Sequence, residues 1–219
     1  MYFTIGKPKS INELKSSHDY IKNVSRDRIE IAIIDDEPFQ YLEILRNHNF
    51  HIRPFEDIAD IKAVHAYPIV LCDIKGVGKS FHSKYEGAHI IDEVRKHYPS
   101  KIIIAYSGHQ FDPSFNKYFQ MCDFVLKKDI DSDNWVENLD NAISKAMNPI
   151  TQWFKIRAYL LEKDVPLNSI LKLEDDYVEM FFKKKESFPS NKTLNTLSDD
   201  VKSVILNFTS SAIFKLLVG

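Results

Sequence analysis

The sequence predicts an α/β fold, a five-stranded parallel doubly wound sheet, followed by a small all-α unit. Three observations carry that prediction. From Ile29 to about Asn148, short β-rich apolar runs alternate with segments of helical spacing, as they do where helices cover both faces of a parallel sheet. The runs at 69–72 (IVLC) and 102–106 (IIIAY) are continuously apolar, which places them at the sheet centre, covered on both sides. After Pro149 amphipathic segments succeed one another with no further strand run.

Residues 1–28 form a polar, mixed N-terminal extension with one helix expected at about 11–24. The run 29–34 (IEIAII) is the first strand. Asp36-Glu37-Pro38 then supplies an acidic cap and a first-turn proline for a helix that turns Phe39, Leu42 and Leu45 inward. A weak strand at 50–55 is interrupted by Pro54, and Ile58, Ile61 and Val64 continue at helical spacing. After the third strand, 69–72, a helix over 85–98 buries Ile90, Ile91 and Val94 and stops at Pro99. The fourth strand, 102–106, leads into an irregular aromatic-rich segment at 111–122, the fifth strand at 123–126, and a helix over about 133–147 closed by Asn148-Pro149. In the second unit, 153–161 and 167–182 are amphipathic, the latter with Leu167, Ile170, Leu171, Tyr177, Val178 and Phe181 on one face. A polar segment at 186–196 precedes an apolar C-terminal helix at 201–219. The expected divisions are 1–28, 29–148 and 150–219.

Composition narrows the function. The 219 residues are 44% apolar with a net charge of −2, an ordinary balance that gives no electrostatic reason to expect nucleic acid or an anionic membrane as partner. Only two cysteines occur, Cys72 within an apolar run and Cys122, so a reduced, cytoplasmic chain is expected. Residues 1–10 lack the pattern of a secretory signal. Between Lys202 and Lys215 lie about a dozen uncharged residues, short of the roughly 20 that a membrane span requires.

The ends of the apolar runs carry the chemistry. Asp35-Asp36 follow the first, Asp73 the third, Ser107 the fourth and Lys127 the fifth. In a parallel sheet these carboxyl ends share one edge, where such folds place their sites. Three carboxylates there repel unless a divalent cation sits among them, and a lysine and a hydroxyl suit a phosphoryl group. Gly78-Lys79-Ser80 looks like the end of a phosphate-binding loop, but the glycine required five residues earlier is Asp73.

In this order and spacing, with DDEP after the first strand and CDFVLKKD around the fifth, residues 29–148 resemble the receiver domain of bacterial two-component response regulators. The resemblance implies a flavodoxin-like receiver in which Asp73 accepts a phosphoryl group. It implies Mg2+ bound by Asp36, Asp73 and the backbone carbonyl of Lys75, with Asp35 acting through water. Lys127 would pair with Asp73 and then with the phosphoryl oxygens. Ser107 would donate its hydroxyl, and Phe124 would be the aromatic that turns inward on switching. Such a protein is a phosphoacceptor rather than an enzyme, and its partner is a sensor histidine kinase or phosphotransfer protein.

The sequence departs from the family in its loop IKGVGKSFHSKYEG, about six residues longer than usual and without the customary Met-Pro, with Glu86-Gly87 replacing Asp-Gly. Lys128 stands where a proline usually follows the lysine, and Pro113 interrupts the helix expected before Phe124. Within the loop, Gly76-Val77-Gly78 reads as flexible, and Lys79, Ser80, His82 and Lys84 as possible contacts for a phosphodonor. No compact helix-turn-helix stands out after residue 150, where Glu174, Asp175 and Asp176 occupy the main helix. Protein contacts or self-association through the helical unit therefore fit better than nucleic acid. Two other readings share the pocket: a receiver-like adaptor that is never phosphorylated, and a Mg2+-dependent aspartyl-phosphate phosphohydrolase. The second normally carries another Asp two residues after its nucleophile, where this chain has Lys75.

Overall fold

The computed structural model describes residues 10–15, 25–108, 113–183 and 188–218. The chain forms two compact units, Val24–Ala146 and a second that joins Met1–Asn23 to Met147–Gly219. The first holds β1 (Glu30–Ile34), α1 (Leu42–Asn47), β2 (His51–Phe55), β3 (Ile69–Asp73) and α2 (Gly87–His97), then β4 (Ile102–Ser107), α3 (Asn116–Phe119), β5 (Phe124–Lys127) and α4 (Ser132–Ala146). All strand pairs are parallel, in the order β2-β1-β3-β4-β5. This is the flavodoxin-like order, whose switch point lies between β1 and β3.

Burial explains the arrangement. Every residue of β3 and β4 is buried, whereas the edge strand β5 alternates and the edge strand β2 buries only Ile52 fully. Ile90, Ile91 and Val94 of α2 pack with Ala32, Ile34, Val70, Cys72 and Ile103 on one face. On the other, α4 contributes the buried Trp135, Leu139 and Ala142 and packs on β3, β4 and α1. The helix expected from Asp36 begins instead at Leu42. The Asp35 carboxylate accepts the Glu37 N–H at 3.0 Å, and Phe39 is drawn against Trp135, ring centroids 5.0 Å apart, so residues 36–41 follow the pocket rather than a helix axis.

Lys101, just before β4, is 6% exposed and donates to the carbonyls of His65 at 2.9 Å and Tyr67 at 2.5 Å. Burial pulls its ammonium down to about 7, while the unfolded lysine titrates near 10.4. Above about pH 7 the unfolded chain therefore holds the extra proton, and stability rises with pH, by roughly 1.4 kcal/mol per pH unit. The rise is expected up to about pH 8.5, where deprotonation of an unfolded cysteine begins to oppose it, since burial pushes the Cys72 thiol well up. Urea midpoints between pH 7 and 8.5 should climb for the native chain and stay flat for Lys101→Met.

In the second unit a 3₁₀ turn at Ile11–Lys15 packs on α5 (Pro149–Glu162) and α6 (Leu167–Lys183). The start of the chain thus joins the helical unit, while Arg26–Arg28 leads into the sheet; the remainder of the helix expected to residue 24 lies outside the described residues. Asn148 caps α5, its Oδ1 accepting the N–H groups of Ile150 and Thr151 at 3.0 Å. The core centres on Trp153 stacked on Tyr177, centroids 5.2 Å apart, with Phe188 and Phe208 beside them. Leu167 and Leu171 prove exposed, because Ile170, Leu173, Tyr177 and Phe181 define the buried stripe of α6.

A short α7 (Asn191–Leu194) follows, and the expected single C-terminal helix is two, α8 (Asp199–Ser210) and α9 (Ala212–Val218). Ser211 divides them: its Oγ donates to the Phe208 carbonyl at 2.7 Å and accepts the Phe214 N–H at 3.2 Å, ending one helix and capping the next. No single described helix is long and apolar enough to cross a membrane, and α8 and α9 satisfy that test only as a pair bent by 60°.

Candidate functional site

Asp35 and Asp36 leave the end of β1, and Asp73 is the last residue of β3. The switch point therefore brings the three together, each offering a carboxylate oxygen within 4.8 Å of the others. Asp35 and Asp73 are each 6% exposed, while Asp36 faces solvent. Burial raises the Asp73 carboxyl against the opposing pull of a nearby ammonium.

That ammonium belongs to Lys128 and not to Lys127. Lys128 Nζ lies 2.6 Å from Asp73 Oδ2 and 3.1 Å from Asp35 Oδ2. Burial works to lower its pKa, but hydrogen bonds to Asp73 and Asp35 outweigh this and hold the net shift upward. Lys127 is exposed on the same side of β5 as Val125. Successive side chains of a strand point to opposite faces, so the residue one place further, its N–H bonded to the Ser107 carbonyl at 3.1 Å, enters the pocket. Phe124 is half-buried with the Lys145 ammonium 4.6 Å above its ring.

Ser107 is buried at the end of β4, on the pocket edge, opposite Lys127 in the register. Lys75 is exposed and its N–H donates to Asp73 Oδ1 at 3.3 Å. The loop that follows is fastened rather than loose. Gly76 N–H donates to Glu86 Oε2 at 2.7 Å, and the N–H groups of Gly78 and Lys79 reach the Asp57 carboxylate at 2.6 and 3.1 Å. Gly76 has a φ of +82° and abuts Asp36, where a Cβ would lie 2.2 Å from Oδ1; only glycine meets both conditions. The fastened loop brings Lys79 Nζ to 3.5 Å from Asp36 Oδ2.

One pocket residue was missed in the sequence. Tyr106, fully buried on β4, donates its hydroxyl to Asp35 Oδ2 at 2.8 Å. Burial, with the charge of Asp35, pushes this phenol well above its ordinary range, so it remains a donor.

The donor set is three carboxylates facing the partly buried ammonium of Lys128 and the exposed ammonium of Lys79, which leaves one negative charge uncompensated. Oxygen ligands of this kind suit a hard divalent cation such as Mg2+, so the residues present fit the ion that the receiver reading requires.

No protein-family model and no curated protein matches the chain. Solved structures do match it. A response regulator receiver domain protein from Clostridium thermocellum is 20% identical, with 53% of this chain and 95% of that one covered and a TM-score of 0.45. The receiver domain of NtrX from Brucella abortus is 22% identical, covering 52% and 97%, with a TM-score of 0.43. The response regulator TrrA from Thermotoga maritima, solved with Mg2+ and BeF, is 21% identical, covering 52% and 98%, with a TM-score of 0.42. The likeness is one of fold, over about half the chain; the chemistry has to be argued from the pocket itself.

Proposed function

We propose that the Val24–Ala146 unit is the receiver of a two-component response regulator, and that Asp73 accepts a phosphoryl group from a sensor histidine kinase or phosphotransfer protein. One observation supports this most: Asp73, at the switch point, meets the ammonium of Lys128 at 2.6 Å and shares a cluster of carboxylate oxygens with Asp35 and Asp36. An oxygen of Asp73 attacks phosphorus, the bond from phosphorus to the donor breaks, and the donor atom leaves with the electron pair. Charge gathers on the equatorial oxygens during this loose transfer, so positioned cations and donors do most of the work. Lys128 moves from the Asp73 carboxylate to the new phosphoryl oxygens, and the Ser107 hydroxyl donates to another. Mg2+, held by Asp35, Asp36 and Asp73 with the Lys75 carbonyl, would neutralise carboxylate and phosphoryl charge.

The protein thus assists its own phosphotransfer and dephosphorylation without turning over an external substrate. Its helical unit would signal through protein contacts. There Glu174 accepts the Trp153 indole N–H at 2.7 Å, and Asp176 accepts from Ser190 and Thr193 at 3.1 Å, so the α6 acids serve the unit's own packing rather than a basic recognition helix. The reading places the protein in the cytoplasm, where a buried thiol such as that of Cys72 stays reduced.

The test is intact-protein mass after incubation with acetyl phosphate. A single phosphoryl adduct is expected with Mg2+, absent with EDTA and absent in Asp73→Asn. An adduct of equal yield in Asp73→Asn would refute the assignment, and no adduct from either acetyl phosphate or a phosphohistidine donor would favour the adaptor reading.

A further inference from the structure

We infer that Tyr106 is a positioning residue for Asp35 and ties the cation site to the buried indole of Trp135, an inference that rests on the pocket reading above. Across β3 and β4 the register sets Tyr106 opposite Asp73, yet its hydroxyl reaches past β3 to Asp35 Oδ2, at the end of β1. Asp35 Oδ1 accepts the Glu37 N–H and the Lys128 ammonium. With donors on both oxygens, the plane of this carboxylate is fixed before a cation arrives. Ligands held by such outer contacts bind metal more tightly, and loss of one contact commonly costs 10–100-fold in affinity, about tenfold being expected here.

The same phenol belongs to an aromatic set. Its ring meets Phe39 edge-on at 5.9 Å and Trp135 at 5.8 Å, and Phe39 meets Trp135 at 5.0 Å. Phe39 stands three residues after Asp36 on the segment the pocket shapes, and Tyr41 lies 6.2 Å from Trp135. Any adjustment of Asp35 and Asp36 is therefore passed to Trp135 through rings already in contact. Packed interiors transmit such shifts because they have no slack. The indole N–H of Trp135 is buried without a partner among the described residues, so its surroundings are set by these rings. The pocket is read on the α1–α4 side of the sheet by this set, independently of Phe124.

The experiment is Mg2+ titration of the full chain by calorimetry and by tryptophan emission, on the native protein, Tyr106→Phe and Trp135→Phe. Native protein should bind Mg2+ with a change in emission. Tyr106→Phe keeps the ring and loses only the hydroxyl; it should bind at least about tenfold more weakly with a diminished emission change. Trp135→Phe leaves the pocket side chains in place; it should keep the affinity and lose the emission change, Trp153 of the helical unit remaining as a silent reference. Native affinity in Tyr106→Phe, or a full emission change in Trp135→Phe, would overturn the inference alone. Absence of Mg2+ binding by the native protein would overturn the pocket reading together with it.

Discussion

Lys128→Ala is expected to slow phosphoryl uptake at Asp73 by about 10²–10³-fold, whereas Lys127→Ala should leave the rate within about twofold. The contrast follows from the 2.6 Å contact of Lys128 with Asp73 and the exposure of Lys127. A positioned cation at the transferring phosphoryl group is worth far more in a partly dry pocket than in water. Stability should separate the two variants as well. Without Lys128, the buried carboxylates of Asp35 and Asp73 face each other uncompensated, at a cost of about 3 kcal/mol; loss of the exposed Lys127 should cost less than about 0.5 kcal/mol. Rates by intact mass and urea unfolding of both variants give the two readouts. Equal effects of the two alanines would refute the assignment to Lys128, and a larger loss in Lys127→Ala would return the role to Lys127.

Gly87→Ala should destabilise the sheet unit by about 3 kcal/mol or more, although alanine in a helix is ordinarily better than glycine by about 1 kcal/mol. The sign reverses because α2 starts directly against the end of β3. A Cβ on Gly87 would lie 1.8 Å from the Asp73 carbonyl oxygen and 2.9 Å from Val77 Cγ2. Backbone cannot rotate away as a side chain can, so either α2 or Asp73 must move, and the uptake proposed for Asp73 should fall with stability. Gly108→Ala is the matched control, since its Cβ would meet nothing nearer than Lys128 Cδ at 3.7 Å. Chemical denaturation of the pair checks the prediction; a Gly87→Ala protein as stable as Gly108→Ala would mean the helix–strand approach is looser than described.

Much of this site was legible because each buried strand ends where charge begins: IEIAII stops at Asp35-Asp36 and IVLC at Asp73, and parallel topology then gathers them. The lysine was harder. On an edge strand both faces are partly wet, so burial gives little contrast between Lys127 and Lys128; counting by twos from the half-buried Phe124 and Leu126 would have selected Lys128. Tyr106 was hidden by its own hydrophobicity, for in the run IIIAY the ring reads as core and the hydroxyl leaves no periodic mark. The loop after Asp73 read as flexible from its glycines, yet Asp57, some 21 residues before Gly78, holds it, a contact that no local pattern announces. The division at Ser211 was equally quiet, because one serine hydroxyl ends α8 and caps α9 inside an apolar stretch.

Reductive trapping tests the central claim most directly. An aspartyl phosphate is an acyl phosphate, which borohydride reduces to homoserine, so peptide sequencing by mass spectrometry after acetyl phosphate, Mg2+ and borohydride locates the acceptor. The account predicts homoserine at position 73 alone, dependent on Mg2+. Homoserine at position 35 or 36, or at no position in a protein that has demonstrably gained a phosphoryl group, would contradict it.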